Sequence, residues 1–239
     1  MLLKYCDIHT HLLPCMDDGS KSVQESITLI NRLKVYGVDA IAFTPHYYSN
    51  RESVESFIER RDKASSDSIR QFPKDVIYTL GAEVFVTDLL FSADDISPLC
   101  YSNTNYMLTE LSYDISIKRA CELVERLRSN YGVIPVIAHV ERYPEVLSLK
   151  GVSALVNSGA LVQTNIDSLL CGYFQRKKLI KILDSGLISF LGTDTHSLKK
   201  RCPDFAECSR KIINYCGKDF YANCMQMAQR LFVNEGDIL

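Results

Sequence analysis

The sequence predicts an α/β fold in which parallel strands alternate with helices and close into a barrel. Short apolar runs alternate along the chain with segments of helical periodicity. The run Val-Ile-Pro-Val-Ile-Ala at 133–138 is apolar throughout, which is typical of parallel strands that are buried on both faces. Polar residues follow many strand ends, and no glycine-rich phosphate loop opens a helix. This arrangement favours a barrel, whose mouth gathers such residues, over an open nucleotide-binding sheet.

The runs that are predicted to be strands are mostly followed by a helical pattern. The strands are residues 3–9, 39–44, 76–83, 106–111, 133–138, 160–165 and 187–193. The first helix begins after Ser22, because Ser22-Val-Gln-Glu25 has the pattern of a capping box, and it continues to Gly37. Further helices are predicted over residues 53–72, 117–131, 152–158 and 173–185, with one or two more over 205–239.

The composition is that of an ordinary globular protein. The 239 residues are 46% hydrophobic and carry a net charge of -2, which indicates neither a nucleic-acid-binding nor a membrane-surface protein. A chain of this length can bury a sizeable core, and we expect a single barrel domain over residues 1–239. The chain has no apolar run long enough to cross a membrane, and its first residues lack the apolar core of a signal peptide. A cytoplasmic location without membrane insertion is therefore expected.

The 9 cysteines include no Cys-x-x-Cys pair, and most of them are predicted to be small buried residues. Cys224 and Arg230 have the Cys-x5-Arg spacing of cysteine-dependent tyrosine phosphatases. That chemistry requires a tight loop of backbone amides around the phosphate. Residues 225–229 are instead helix formers within a helical pattern, so a structural helix is predicted here.

All the histidines of the chain lie at or just after the C-terminal end of a predicted strand. They are His9, His11, His46, His139 and His196. The carboxylates of Glu83, Glu110 and Asp194 occupy matching positions at other strand ends. Because the C-terminal ends of barrel strands meet at one mouth, we expect these side chains to lie close together.

The spacing of these residues indicates a metal site. Alternate residues of an extended strand point the same way, so both imidazoles of His9-Thr10-His11 can reach one ion. Asp194-Thr195-His196 repeats this spacing on the last strand. Mixed imidazole and carboxylate ligands suit Zn, Mn or Fe. So many candidate ligands favour two or three ions with bridging carboxylates, an arrangement that hydrolyses phosphoesters.

The motifs that carry this chemistry follow one another in a distinctive order. They are His9-x-His11, Asp17-Asp18-Gly19, Thr44-Pro45-His46, Gly81-Ala82-Glu83-Val84, Thr109-Glu110, Ala138-His139-Val140-Glu141-Arg142-Tyr143 and Thr193-Asp194-x-His196. This set resembles the PHP (polymerase and histidinol phosphatase) superfamily, and within it the CpsB/YwqE-type tyrosine phosphatases of bacterial capsular and exopolysaccharide operons. The resemblance extends from residue 5 to about residue 205. Cys15 departs from the pattern, since this group usually has glycine there, but every expected ligand is present.

The resemblance implies a distorted (β/α)7 barrel of the PHP type with three divalent ions, Mn being favoured over Fe or Zn. One ion would be held by His9, His11, Glu83 and Asp194, a second by Glu83, Glu110 and His139, and a third by Asp18, His46 and His196. Asp17 is the alternative to Asp18, and the residues alone do not separate the two. Asp7 alternates with His9 along the first strand, so it is predicted to orient an imidazole from behind.

The resemblance also implies that Arg142 and Arg201 bind the substrate phosphate, because a guanidinium group holds phosphate oxygens bidentately. The alternatives are a structural ion pair for Arg142 and a solvated basic patch, Lys199-Lys200-Arg201, for the second arginine. A phosphatase of this kind needs no cysteine nucleophile. Its implied protein substrate is a bacterial tyrosine autokinase that regulates capsular or exopolysaccharide synthesis.

Three other functions stay open at this point. The first is a PHP-type phosphoesterase for a small phosphomonoester such as histidinol phosphate. The second is a metal-dependent amidohydrolase, which is disfavoured because no lysine takes the strand-end position of Glu83 or Glu110. The third is a regulatory barrel without enzymatic activity. The sequence indicates no oligomeric state.

Overall fold

The computed structural model describes residues 5–198, 201 and 203–232 of the chain. Its strands are β1 Cys6–Thr10, β2 Ala40–Phe43, β3 His46–Tyr48, β4 Ile77–Leu80, β5 Glu83–Phe85, β6 Tyr106–Glu110, β7 Ile134–Ile137, β8 Leu161–Asn165 and β9 Phe190–Gly192. Its helices are α1 Val23–Val35, α2 Val54–Ser68, α3 Ile117–Tyr131, α4 Leu149–Asn157, α5 Tyr173–Asp184, α6 Phe205–Cys216 and α7 Lys218–Gln229. The predictions for residues 3, 4 and 233–239, and for Lys199 and Lys200 of the basic patch, lie outside the described residues.

Two of the barrel strands are each divided by a short interruption. Strands β2 and β3 are divided at Thr44-Pro45, and β4 and β5 are divided at Gly81-Ala82. Backbone hydrogen bonds from Gly81 N to Phe43 O (2.9 Å) and from Glu83 N to Pro45 O (3.0 Å) continue the pairing across both interruptions. Each divided pair therefore counts as one strand of the barrel.

The strands are parallel, and their order is β1-β2-β4 in one sheet and β3-β5-β6-β7-β8-β9 in the other. The last strand returns to the first, because Asp194 N donates to His9 O at 2.8 Å and His11 N donates to Thr195 O at 2.9 Å. Thr10 and Thr195 form a parallel bridge at the same seam. The described strands thus close a seven-stranded barrel, which confirms the prediction.

The helices follow the predicted pattern, although some of their bounds differ. Ser22 caps α1 by accepting a hydrogen bond from Glu25 N, as the capping-box pattern predicts. Helix α4 begins earlier than predicted, at Leu149, because Ser148 caps it by accepting from Gly151 N at 3.0 Å. Two short 3-10 turns, Asp88–Ser92 and Ser97–Leu99, replace the α-helix that would join β5 to β6. This replacement distorts the barrel relative to a regular alternation of strands and helices.

The interior of the barrel is filled with apolar side chains below the mouth. Its buried cluster contains Cys6, Ile8, Ala40, Ala42, Tyr101, Leu108, Val136, Ala138 and Phe190, joined by Ala228 and Leu231 from the C-terminal part of the chain. A second and larger buried cluster packs the helices around the barrel. Within the described residues, no helix combines the length and the apolar character that crossing a membrane requires.

Cys224 lies on α7, away from the mouth, as the helical pattern predicts. The thiol is buried, and its Sγ lies 3.8 Å from the carbonyl oxygen of Ile188. Burial raises the pKa of Cys224 to about 12, so the thiolate that a nucleophile requires does not form near neutral pH. The structural interpretation of the Cys-x5-Arg spacing is confirmed.

Candidate metal centre

The nine predicted metal ligands meet at the C-terminal mouth of the barrel. His9 lies on β1, and His46 and Glu83 begin the upper halves of the two divided strands, where they are register partners. Glu110 ends β6, and His139, Asp194 and His196 follow β7 and β9 directly. Both interruptions lie just before a site residue, so the divided strands deliver His46 and Glu83 to the mouth.

Glu83 is the centre of this cluster. Its Oε1 lies 2.7 Å from His139 Nε2. The distances from its Oε2 are 3.3 Å to His9 Nε2, 3.2 Å to His11 Nε2 and 3.0 Å to His46 Nδ1. The carboxylate is 1% exposed, so four imidazoles surround a group that has almost no access to water.

Among the residues that the structure describes, two of these buried atoms, Glu83 Oε2 and His46 Nδ1, find no hydrogen-bond partner of suitable geometry. An unsatisfied buried carboxylate oxygen costs free energy unless a cation or a donor compensates it. The ligand atoms form three groups, each with its atoms within 4.8 Å of one another. These groups are His9, His11 and Glu83; His46, Glu83 and Glu110; and His11, Asp18, His46 and His196. The unpartnered atoms and the imidazole and carboxylate donors fit divalent transition-metal ions.

The carboxylates of Glu83 and Glu110 repel each other when both are ionised. Burial disfavours the ionised form of Glu83, but the imidazoles of His9, His11 and His139 outweigh it and hold the pKa of Glu83 well below its usual range. Burial and the charge of Glu83 raise the pKa of Glu110 to about 7. A divalent cation held by both carboxylates would remove the repulsion.

The adjacent aspartates have different surroundings. Asp17 Oδ2 accepts hydrogen bonds from His11 Nδ1 at 2.7 Å and from His46 N at 2.9 Å, and its Oδ1 accepts from Gly19 N at 2.9 Å. Asp18 Oδ1 lies 3.6 Å from His46 Nε2 and 3.4 Å from His196 Nε2, and the side chain is 65% exposed. Asp17 is therefore occupied in fixing the loop and one imidazole, whereas Asp18 faces the histidines with its oxygen available to a ligand.

Three imidazoles are fixed with Nε2 pointing into the cluster. His11 Nδ1 donates to the Asp17 carboxylate, and His196 Nδ1 donates to the Asp194 carbonyl oxygen at 2.7 Å. His139 Nδ1 lies 3.3 Å from the hydroxyl of Tyr143. A proton held on Nδ1 leaves the Nε2 lone pair available to a cation, which is the usual arrangement of metal-binding histidines.

The predicted role of Asp7 is wrong. Its carboxylate accepts hydrogen bonds from the backbone amides of His9 (3.3 Å) and Thr193 (2.9 Å) and from the Thr193 hydroxyl (2.6 Å), rather than from an imidazole ring. Alternation along β1 does place Asp7 on the same face of the strand as His9, but Asp7 lies one layer deeper in the barrel. There it ties β1 to the end of β9 and so fixes the seam that carries His9 and Asp194.

Strand β8 supplies no predicted ligand, yet it positions three of them through Gln163 and Asn165. Gln163 Oε1 accepts from His139 N at 2.7 Å and lies 3.4 Å from His9 Nδ1. Gln163 Nε2 donates to Asn165 Oδ1 at 3.0 Å, and Asn165 Nδ2 lies 3.3 Å from Asp194 Oδ2. Sequence reasoning missed both residues. The sequence signal that could have found them is their spacing, since Gln163 and Asn165 are alternate polar residues at the end of an apolar strand.

Replacing Gln163 by methionine is expected to weaken metal binding by about 10- to 100-fold, since supporting hydrogen bonds to metal ligands contribute that much. Methionine has a similar size but makes none of these hydrogen bonds. Competition with a chromogenic chelator measures the change. Gln71→Met, at an exposed position on the 3-10 turn after α2, is the control. An unchanged affinity in Gln163→Met would contradict a positioning role for this side chain.

The two predicted phosphate-binding arginines also reach the mouth. An Arg142 Nη2 atom donates to Asp194 Oδ2, and Arg201 Nη1 lies 2.9 Å from His196 Nε2. Both arginines line an open cavity of about 740 Å³ above the cluster, together with Asp18 and His46. Guanidinium groups at this position can accept a phosphate group that approaches the metal ligands from outside.

Several residues of the mouth have a left-handed backbone conformation, which side chains other than glycine seldom adopt. The φ angles are 32° at His139, 54° at Asp194 and 50° at Arg201. Strain of this kind concentrates at functional sites. Cys15 has φ 61°, a conformation that glycine adopts without strain.

Comparisons with known proteins place the whole chain in a family. Residues 5–233 match the family model described as capsular polysaccharide synthesis, CpsB/CapC. CapC from Staphylococcus aureus is 31% identical over 202 residues, which are 82% of this chain and 78% of the relative. The tyrosine-protein phosphatase CpsB from Streptococcus agalactiae is 27% identical over 223 residues, which are 89% of this chain and 91% of the relative.

A solved structure extends the similarity to three dimensions. It comes from work on YwqE from Bacillus subtilis and CpsB from Streptococcus pneumoniae, described as unique metal-dependent tyrosine phosphatases. The TM-score is 0.78 at 25% identity, with 95% of this chain and 94% of that chain covered. A family-model match over nearly the whole chain, together with this shared fold, shows that the chain belongs to the CpsB/CapC family.

Proposed function

We propose that the protein is a metal-dependent protein-tyrosine phosphatase. The observation that carries the proposal is the buried Glu83 carboxylate, whose Oε2 lies within 3.3 Å of three imidazole nitrogens and finds no hydrogen-bond partner of suitable geometry in the described part of the chain. Such a group is expected where metal ions bind, and the related CpsB and YwqE proteins are tyrosine phosphatases. The phosphatase domain is proposed to span the whole chain.

Three divalent ions, with Mn favoured over Fe and Zn, account for the ligand groups. Glu83 is proposed to bridge two ions, one with His9, His11 and Asp194 and the other with Glu110 and His139. Asp18, His46 and His196 are proposed to hold the third. Asp18 is chosen over Asp17 because the latter carboxylate already accepts hydrogen bonds from His11, His46 and Gly19.

The bound ions and the side chains of the mouth have separate roles in the proposed reaction. Bound divalent ions supply Lewis acidity and an activated water at neutral pH. Arg142 and Arg201 bind the equatorial phosphate oxygens and neutralise the charge that develops on them. The tyrosine side chain leaves as a phenolate, and its pKa near 10 makes a strong general acid unnecessary.

The physiological substrate is proposed to be a bacterial tyrosine autokinase that regulates capsular or exopolysaccharide synthesis. The family description, capsular polysaccharide synthesis, supports this assignment. The rival function is hydrolysis of a small phosphomonoester. A comparison of kcat/KM on a phosphotyrosine peptide and on histidinol phosphate separates the two, and a higher value on histidinol phosphate would reject the proposal.

Removal of metal is expected to abolish hydrolysis of a phosphotyrosine peptide, because the activated water that would attack the phosphorus depends on the bound ions. Treatment with EDTA followed by titration with Mn should remove and restore activity, with about three ions bound per chain at full activity. The matched variant is Cys224→Ser, which should retain wild-type turnover. Activity that survives chelation but is lost in Cys224→Ser would refute the metal mechanism.

A further inference from the structure

A second groove adjoins the mouth on the side of Arg142. It has a volume of about 540 Å³, and its lining residues are Tyr113, Glu141, Arg142, Pro144, Leu147, Gln175 and Lys178. Arg142 lines both this groove and the cavity above the metal ligands. The two spaces therefore meet at the Arg142 side chain, and a ligand bound at the mouth that passes this side chain reaches the groove.

The walls of the groove come from three segments that all belong to the mouth side of the barrel. Tyr113 follows β6, the segment 141–147 follows β7, and Gln175 and Lys178 lie on the first turns of α5. Tyr113 is 71% exposed, which is unusual for an aromatic ring without a bound partner. It offers an apolar surface beside the entrance, where a flanking side chain or backbone can pack.

The charged groups of the groove favour an anionic ligand. The carboxylate of Glu141 faces inward, where it accepts hydrogen bonds from the Thr164 hydroxyl at 2.7 Å and from Asn165 N at 3.1 Å. Arg142 faces the mouth. Within the described residues, the exposed ammonium group of Lys178 has no carboxylate within salt-bridge distance. An unpaired cation at the far side of the groove is thus available to a ligand.

We propose that this groove, here called the Lys178 groove, binds the polypeptide that flanks the phosphotyrosine and selects an anionic side chain in it. The inference rests on the proposed phosphatase function. A small phosphomonoester bound at the mouth has no part that extends into the groove, so only a polypeptide substrate reaches Tyr113 and Lys178. The anionic group is a carboxylate or a second phosphate, since both pair with an ammonium group.

The test compares four substrates. Three are phosphotyrosine peptides of equal length whose flanking residues are neutral, contain glutamates, or contain a nonhydrolysable phosphonate analogue of phosphotyrosine. The fourth is p-nitrophenyl phosphate, which has no flank. The wild-type protein is expected to prefer an anionic peptide over the neutral one by about 3- to 5-fold in kcat/KM, mostly through KM, as for an exposed ion pair. The preference should fall as salt is added.

The variants Lys178→Glu and Lys177→Glu form a matched pair. Both positions are exposed on α5, but Lys177 does not line the groove. Lys178→Glu is expected to lose or reverse the preference and to hydrolyse p-nitrophenyl phosphate at the wild-type rate, whereas Lys177→Glu should behave as the wild type. Tyr113→Ala should raise KM for all the peptides and leave the aryl phosphate unaffected.

The outcomes separate this inference from the function on which it rests. A higher kcat/KM on the glutamate peptide than on the neutral peptide identifies a carboxylate as the ligand. A higher kcat/KM on the phosphonate peptide alone identifies a phosphate. Equal kcat/KM on all three peptides, or equal behaviour of Lys178→Glu and Lys177→Glu, would overturn the Lys178 groove while leaving a tyrosine phosphatase. Hydrolysis of no peptide at all would reject the phosphatase function itself.

Discussion

Glu83→Gln is expected to lower phosphotyrosine hydrolysis by at least about 10³-fold, the scale of losing a group aimed at the reacting centre. The carboxylate of Glu83 lies within 3.3 Å of His9, His11 and His46 and 2.7 Å from His139. A neutral amide keeps the size of the side chain but removes the charge that would bridge two cations. Turnover and metal content are measured on the same preparation, and fewer ions per chain are expected to remain bound.

The control for this change is Glu145→Gln. Glu145 is exposed on the loop after β7, on the same side of the barrel, and should tolerate the amide without loss of metal or activity. Thermal unfolding in EDTA shows whether Glu83→Gln still folds, because the comparison is then made without metal in either protein. A folded Glu83→Gln variant with a full complement of metal and wild-type turnover would disprove the bridging role.

Arg142→Ala is expected to reduce kcat/KM on a phosphotyrosine peptide by about 10²- to 10³-fold, since it removes one donor to the charge that develops on the phosphate. Arg142→Lys should recover only part of this loss, because lysine is a point charge without the planar fork of a guanidinium group. Inhibition by inorganic phosphate provides a second measurement. It should weaken in both variants, with the larger effect in Arg142→Ala.

Two controls distinguish phosphate binding from other roles of Arg142. Arg51 also lines the mouth, where its guanidinium stacks on the ring of Tyr48 at 4.1 Å, so Arg51→Ala tests the effect of any positive charge at this place. In Arg51→Ala, kcat/KM on the phosphotyrosine peptide is expected to fall by less than about 10-fold. Metal content must also be measured, because Arg142 contacts Asp194. Equal inhibition by phosphate in Arg142→Ala and the wild type would show that Arg142 serves only as an ion-pair partner of Asp194.

The alternation of apolar runs and helical patterns predicted the barrel, because parallel strands buried on both faces have a distinct composition. The interruptions at Thr44-Pro45 and Gly81-Ala82 were not predicted. They depend on how two neighbouring strands bend together, as the paired positions of His46 and Glu83 show. The 3-10 turns between β5 and β6 were likewise left without a prediction, since short turns carry little periodicity.

The positions of the proposed ligands other than Asp18 could be predicted because each lies at or just after a strand end, and the topology of a parallel barrel brings all those ends to one mouth. The choice within Asp17-Asp18 could not be predicted, since it depends on which carboxylate the loop turns toward His11 and which toward His196. The same holds for Gln163, whose contacts with His9 and His139 join three strands that are distant in sequence.

The sequence by itself determined the fold class, the residues that reach the mouth and the family to which they belong, because these follow from periodicity and from the order of short motifs. Only the tertiary structure decided the role of each polar group beside them. It assigned Asp7 to the seam of the barrel, Asp17 to the orientation of an imidazole and Gln163 to the support of two histidines. The reason is physical: hydrogen bonds form over about 3 Å, and such distances between remote strands are fixed by the closure of the barrel and the packing of its interior.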